Sequence, residues 1–344
     1  MINRSSRRWE LVRAFTIIFT IYFLHIALNE LILLSVSVLF PRSIEGGPGL
    51  IFSFTGFLSR LFTLFSFLSA VLIGERIVFK EKLLAIESYS IPISVSNSKP
   101  NPKPNSSASP SQHEHKESAK TIVPAPRPHR QLRKPGGDIL CGLMLGMSLF
   151  TLLFLVFKGI GWLTVTDFLF SVALETPSSV YLQIFWSIPV LLVSAVFEEL
   201  FARGFLLSVC KKICGTAGGI FLSALFFSLM HFYNPHFSAA GLIGILLAGL
   251  WFGLAYELTG ALYLSTATHF SWNISQMLLG FPVSGLDTPH LVMTKISGPK
   301  VWTGGEFGPE AGISGYLLII LGIVLVLVYA KKRMLTKDYL KIFS

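Results

Sequence analysis

Charged side chains are scarce in this sequence, at 13% of residues against roughly 25% in an ordinary soluble chain. That shortage excludes a water-covered globular surface for most of the chain. Cysteine is scarcer still, with Cys141, Cys210 and Cys214 the only three. So few thiols, and an odd number of them, exclude a disulfide framework. They read as free thiols in or beside apolar runs, although the spacing of Cys210 and Cys214 also suits a redox pair or half of a metal site. Neither G-x-S-x-G nor H-E-x-x-H occurs, which removes the serine-elbow and zincin schemes. Hydrophobic residues are what the chain has in abundance, at 52% with a mean hydropathy of +0.65. Several apolar runs approach the roughly 20 residues that cross a bilayer.

These runs predict an all-α, polytopic membrane bundle of eight spans, at about 14–36, 51–74, 138–157, 181–209, 217–233, 239–257, 261–280 and 313–330. Helices are expected because hydrocarbon cannot satisfy exposed backbone groups, and the runs are too long for barrel strands. The basic start MINRSSRRWELVRAF precedes an apolar stretch over about 15–40, longer than the about 7–15 residues of a signal-peptide core, so it reads as a retained first span. Arg4, Arg7, Arg8 and Arg13 precede span one, Arg76, Lys80 and Lys82 follow span two, Lys211 and Lys212 follow span four, and Lys331, Lys332 and Arg333 follow span eight. Basic residues mark cytoplasmic span ends, so both termini are expected in the cytoplasm. The same clustering accounts for the net charge of +10 by topology in a plasma (inner) membrane, with no nucleic-acid partner.

Residues 93–137 carry eight Lys/Arg and two Glu among Pro, Ser and Asn. Such a stretch cannot bury enough apolar surface to order itself, so it reads as a disordered basic linker. His113, His115 and His129 within it lack the fixed spacing of a preformed metal site. The expected organisation is a two-span hairpin over 1–92, the linker, a six-span core over 138–334 and a cytoplasmic tail over 335–344.

Polar groups inside the spans carry the functional argument. Span four holds Glu198, Glu199 and Arg203. Each charge costs roughly 2.5–3.5 kcal/mol at a span centre unless it is paired or near water. Arg203 lies four residues after Glu199, on the same helical face, and can pair with it. Glu198 is turned away from both and is freer to face a cavity, where a carboxylate can serve as a base. The alternative is a salt-bridged helix end. Span five places Phe227 four residues before His231, and span seven places His269 four residues before Asn273. At 1.5 Å per residue, Glu198 and His231 both lie roughly 20 Å from the turn near residues 212–216, and His269 and Asn273 roughly 13–20 Å from Gly260. One buried polar site is therefore expected.

His25, Asn29 and Glu30 share one face of span one and read as packing or pairing groups. His236 reads as an outer loop residue and Glu257 as a cytoplasmic helix end. The glycine-rich stretch 281–312 reads as an outer cover without chemistry of its own.

Taken together, EELFAR as EExxxR, FSLMH as FxxxH and HFSWN as HxxxN, in that order on separate spans, resemble the CPBP or Abi family of intramembrane proteases. That family includes the type II CAAX prenyl endopeptidases, and its members are often labelled metalloproteases. The resemblance covers about 180–280. It implies that Glu198 and His231 hold and activate the attacking water, that His269 and Asn273 steady the oxyanion, and that Glu199, Arg203 and Phe227 support the site, Glu199 also lying near the water. It implies a membrane-embedded or lipidated peptide or protein as substrate. Zn²⁺ held by Glu198, His231 and His269 and a metal-free site are both open on these residues. A non-catalytic scaffold or a proton or cation carrier is the second reading of the same polar core, although no internal repeat of the transporter kind is present.

Overall fold

The computed structural model describes residues 135–169 and 178–333. The two spans expected at 14–36 and 51–74, nearly all of the linker and the tail fall outside these residues. So do His25, Asn29 and Glu30 of the first span and the three linker histidines. The described residues are mostly helical and form a membrane bundle. Pro135–Gly159, Val180–Leu229, Ala239–Thr259 and Ile313–Lys332 are each long and apolar enough to cross.

Helix α1, Pro135–Gly159, begins before the boundary expected at 138, with proline at its first position. Helix α2, Ser178–Glu199, contains Pro189 and passes directly into a π-helical turn, Leu200–Leu207, and then into α3, Ser208–Leu229. The 50-residue run is not one rod. Gly215 adopts φ 74° and ψ −178°, a conformation that side chains with a Cβ avoid. The chain reverses there, bringing the Gly219 backbone against that of Lys211, where a Cβ on Gly219 would stand 2.9 Å from the Lys211 Cα. The reversal separates the two spans expected at 181–209 and 217–233.

Helix α4, Ala239–Thr259, is capped at both ends. The Ser238 hydroxyl accepts from the Gly241 amide at 3.2 Å, and Gly260 closes the C-terminus in the left-handed region. Helix α5, Leu262–Leu278, is shorter, at 17 residues, and less apolar, with Ser265, Thr268, His269, Ser271, Ser275 and Gln276 all buried. It occupies the centre of the bundle, with α1, α2 and α4 packed around it. Contact with α1 is closest where Gly142 and Gly146 face it: a Cβ on Gly146 would lie 2.1 Å from the Ser271 hydroxyl. That hydroxyl donates to the Gly142 carbonyl at 2.9 Å. Small residues letting backbones meet is the usual way for helices to associate in lipid.

The connections are more ordered than expected. Strand β1, Leu163–Phe168, pairs antiparallel with β2, Val292–Ile296, in the register Leu163↔Ile296, with an irregularity between Val165 and Asp167. The all-α expectation therefore misses a two-stranded ribbon built from the β-prone stretches LTVTDF and VMTKI. A single helical turn, α6, Lys300–Thr303, and two 3₁₀ turns lead into α7, Ile313–Arg333.

Candidate active site

Glu198 and Glu199 close α2, and the π-helical turn that follows carries Arg203, fully buried. Its Nη1 donates to Glu199 Oε1 at 2.6 Å and its Nη2 to the Gly249 carbonyl of α4 at 3.0 Å. The guanidinium lies over the Phe227 ring at 4.4 Å and near the Phe252 ring at 5.3 Å. Charge neutralisation, a backbone acceptor and two aromatic faces together make a buried arginine tolerable. The pairing is the one that the four-residue spacing predicts.

Glu199 also reaches α5, since its Oε1 accepts from His269 Nδ1 at 3.1 Å. A carboxylate only accepts, so that ring nitrogen carries the proton and the ring orientation is fixed. His231, at the end of α3, is oriented in the same manner. Its Nδ1 donates to the Phe227 carbonyl at 2.8 Å, which leaves Nε2 as the open nitrogen of the neutral ring. Phe227 meets both imidazoles, with ring centroids 5.0 Å from His231 and 5.7 Å from His269, while Phe252 stacks on His269 at 4.8 Å.

Both Nε2 atoms face Glu198. Its Oε2 lies 4.0 Å from His231 Nε2 and 3.8 Å from His269 Nε2. It is buried and makes no hydrogen bond among the described residues. These gaps are too wide for direct hydrogen bonds and suit a bridging water. Glu198 is the more exposed carboxylate, its side chain 21% accessible against 0% for Glu199. The fold thus brings together Glu198, Glu199, Arg203, Phe227, His231 and His269. Asn273 lies one turn beyond His269, half-buried, its side chain without a hydrogen bond to any described residue. His236 stands apart in the turn after α3, at φ 59°, paired with Glu306 at 3.2 Å. Glu257 pairs with Lys211 at the far end of the bundle.

The glutamate and two histidines are suitable donors for zinc, but they are not assembled into a cage. Tetrahedral ligands at bonds of about 2.0–2.2 Å stand roughly 3.3–3.5 Å apart, closer than the 3.8 and 4.0 Å here. Among the described residues no group of three or more His, Cys, Asp or Glu side chains is set to hold a metal.

Two contributors were not visible in the sequence. Phe252 sits in the apolar run AGLWFGLAYE, where nothing distinguishes it from core, and Gly249 acts through a carbonyl that every residue possesses. No curated protein and no solved structure matches the chain. Its residues 180–275, from α2 into α5, match a family model described as type II CAAX prenyl endopeptidase Rce1-like. The span of that match holds all six residues of the cluster and Asn273, and over it the chain carries a domain of the Rce1-like, CAAX-protease family of intramembrane proteases.

Proposed function

We propose that the protein is an intramembrane endopeptidase that hydrolyses a peptide bond of a membrane-associated, lipidated or hydrophobic peptide or protein, with Glu198 as the base. One observation carries this reading. The buried Glu198 Oε2 has no hydrogen-bond partner among the described residues and faces two imidazole nitrogens across gaps of one water.

A water in that gap is held by Glu198 Oε2 and His231 Nε2. As its oxygen bonds to the substrate carbonyl carbon, its proton passes to Glu198. Asn273 Nδ2, and His269 Nε2 when it carries a proton, donate to the oxyanion. The tetrahedral intermediate then collapses, the C–N bond breaks, and the proton on Glu198 moves to the departing nitrogen. The products are a carboxylic acid and an amine. Glu199 and Arg203 hold His269 in place from the other side of its ring.

The whole chain, on this reading, is an eight-span protein of a plasma (inner) membrane with both termini in the cytoplasm. The hairpin over 1–92 and the linker over 93–137 stand outside the catalytic core.

The test is cleavage of a quenched hydrophobic peptide library by the purified full chain in detergent, comparing wild type with Glu198→Gln, each with and without a chelator. We expect wild type to cut and Glu198→Gln to lose at least about a hundredfold, as removal of a general base does, while eluting as the same folded species. Chelator-insensitive cleavage supports the water held by the chain alone, and chelator-sensitive cleavage reassigns Glu198, His231 and His269 as metal ligands. Equal cleavage by both proteins sinks the role of Glu198 and leaves the scaffold or ion-carrier reading.

A further inference from the structure

One buried carboxylate has no part in the chemistry above. Glu310 lies in the glycine-rich segment between β2 and α7 and is only 4% exposed. Its Oε1 accepts from Trp272 Nε1 at 2.8 Å and from Gln276 Nε2 at 2.9 Å, both on α5. Its Oε2 accepts from the Ser284 hydroxyl at 2.5 Å. The indole nitrogen can only donate, and the glutamine must turn its NH₂ toward the acid, so all three bonds point into the carboxylate. Its backbone is wedged as tightly: a Cβ on Gly244 of α4 would stand 1.6 Å from the Glu310 carbonyl oxygen.

These bonds continue in both directions to the site. Trp272 lies three residues beyond His269 and next to Asn273. On the other side, the Ser284 carbonyl accepts from Asn234 Nδ2 at 2.8 Å, and the Asn234 amide donates to the His231 carbonyl at 2.9 Å. One chain of hydrogen bonds thus joins the element carrying His269 to the turn carrying His231, with Glu310 at its middle. Ser284 holds a left-handed backbone at φ 48°, an unusual conformation for serine.

We infer that Glu310 is a positioning residue that fixes the spacing of the two imidazoles by clamping α5 to the turn after α3. The inference rests on the proteolytic reading for its catalytic consequence, but not for the clamp itself. The bonds require an acceptor more than a charge. A glutamine at 310 keeps an oxygen for Trp272 and Gln276, and the Ser284 hydroxyl can turn to accept from its NH₂.

The experiment compares wild type, Glu310→Ala, Glu310→Gln and Glu198→Gln, all as full chains in detergent, by kinetics and by amide hydrogen exchange. For Glu310→Ala we expect kcat to fall by about a hundredfold, the cost of misplacing reacting groups by about 1 Å, with KM little changed. Glu310→Gln is expected to recover most of that loss. Exchange in Glu310→Ala should rise together in residues 231–238 and 272–286. Undiminished kcat in folded Glu310→Ala, or faster exchange confined to 305–312, overturns the inference. The Glu198→Gln arm separates the two claims. If it cuts as fast as wild type the proteolytic reading falls, and with it the catalytic role of Glu310, while coupled exchange in the alanine variant still upholds the clamp.

Discussion

At the residue scale the arginine–glutamate pair is structural. Arg203 is buried with both of its terminal nitrogens in use, and Glu199 depends on it for charge balance. Replacing Arg203 with methionine keeps most of the volume but strands Glu199 in a low-dielectric interior. Removing one partner of a buried pair costs roughly 3–5 kcal/mol. We expect Arg203→Met to lower the thermal midpoint in detergent accordingly, and Arg203→Met/Glu199→Gln to regain part of the loss, since the double variant leaves no bare charge. Arg203→Lys should not rescue, because one ammonium cannot reach Glu199 and the Gly249 carbonyl in the same fork or lie flat on Phe227. A double variant no more stable than Arg203→Met would refute the pairing argument. This part of the site was legible because charges in an apolar run are conspicuous and a four-residue spacing fixes a face. Phe252 was not, since its role comes from where α4 packs against α5. Glu310 is not legible, because its glycine-rich surroundings read as a loop and Glu306 stands four residues before it in the same stretch.

At the element scale, the proposed activity would depend on how closely α1 approaches α5, because α5 carries His269. A Cβ at Gly146 would lie 2.1 Å from Ser271 Oγ and 2.6 Å from the Trp272 amide nitrogen, so the helices must part. Gly146→Val is expected to destabilise by about 1–3 kcal/mol, the usual cost of overpacking, and to slow cleavage by displacing Trp272 and its neighbours. Gly136→Val in the same helix has nothing within 4 Å of its Cβ and serves as the control. Equal midpoints and equal rates for the two variants would show that the glycine contact is dispensable. Six core helices were readable from apolar runs, since lipid demands them. The ribbon was not. β1 and β2 are six and five residues long and lie far apart in sequence, and only the folding of the core brings them together.

At the scale of the whole molecule, depth along the helices ties the site to the membrane. Glu198, His231 and His269 sit at similar heights counted from the turns near Gly215 and Gly260, and the bundle brings their side chains together. On the positive-inside pattern the Gly215 turn, with Lys211 and Lys212 beside it, is expected in the cytoplasm. The ribbon, His236 and Glu306 lie toward the opposite end. The chain supplies its own reporter, because Cys214 at this turn is exposed while Cys210 is buried and Cys141 lies within α1. In a Cys141→Ser background, a membrane-impermeant maleimide should label Cys214 in inside-out vesicles and spare it in intact cells. Glu306→Cys, 75% exposed as glutamate, should give the reverse once Cys214→Ser is added. Labelling of Cys214 from outside intact cells would invert the topology and put the Lys211–Glu257 pair on the outer face. The basic span ends would then not set orientation here, and the site would be reached from the opposite leaflet.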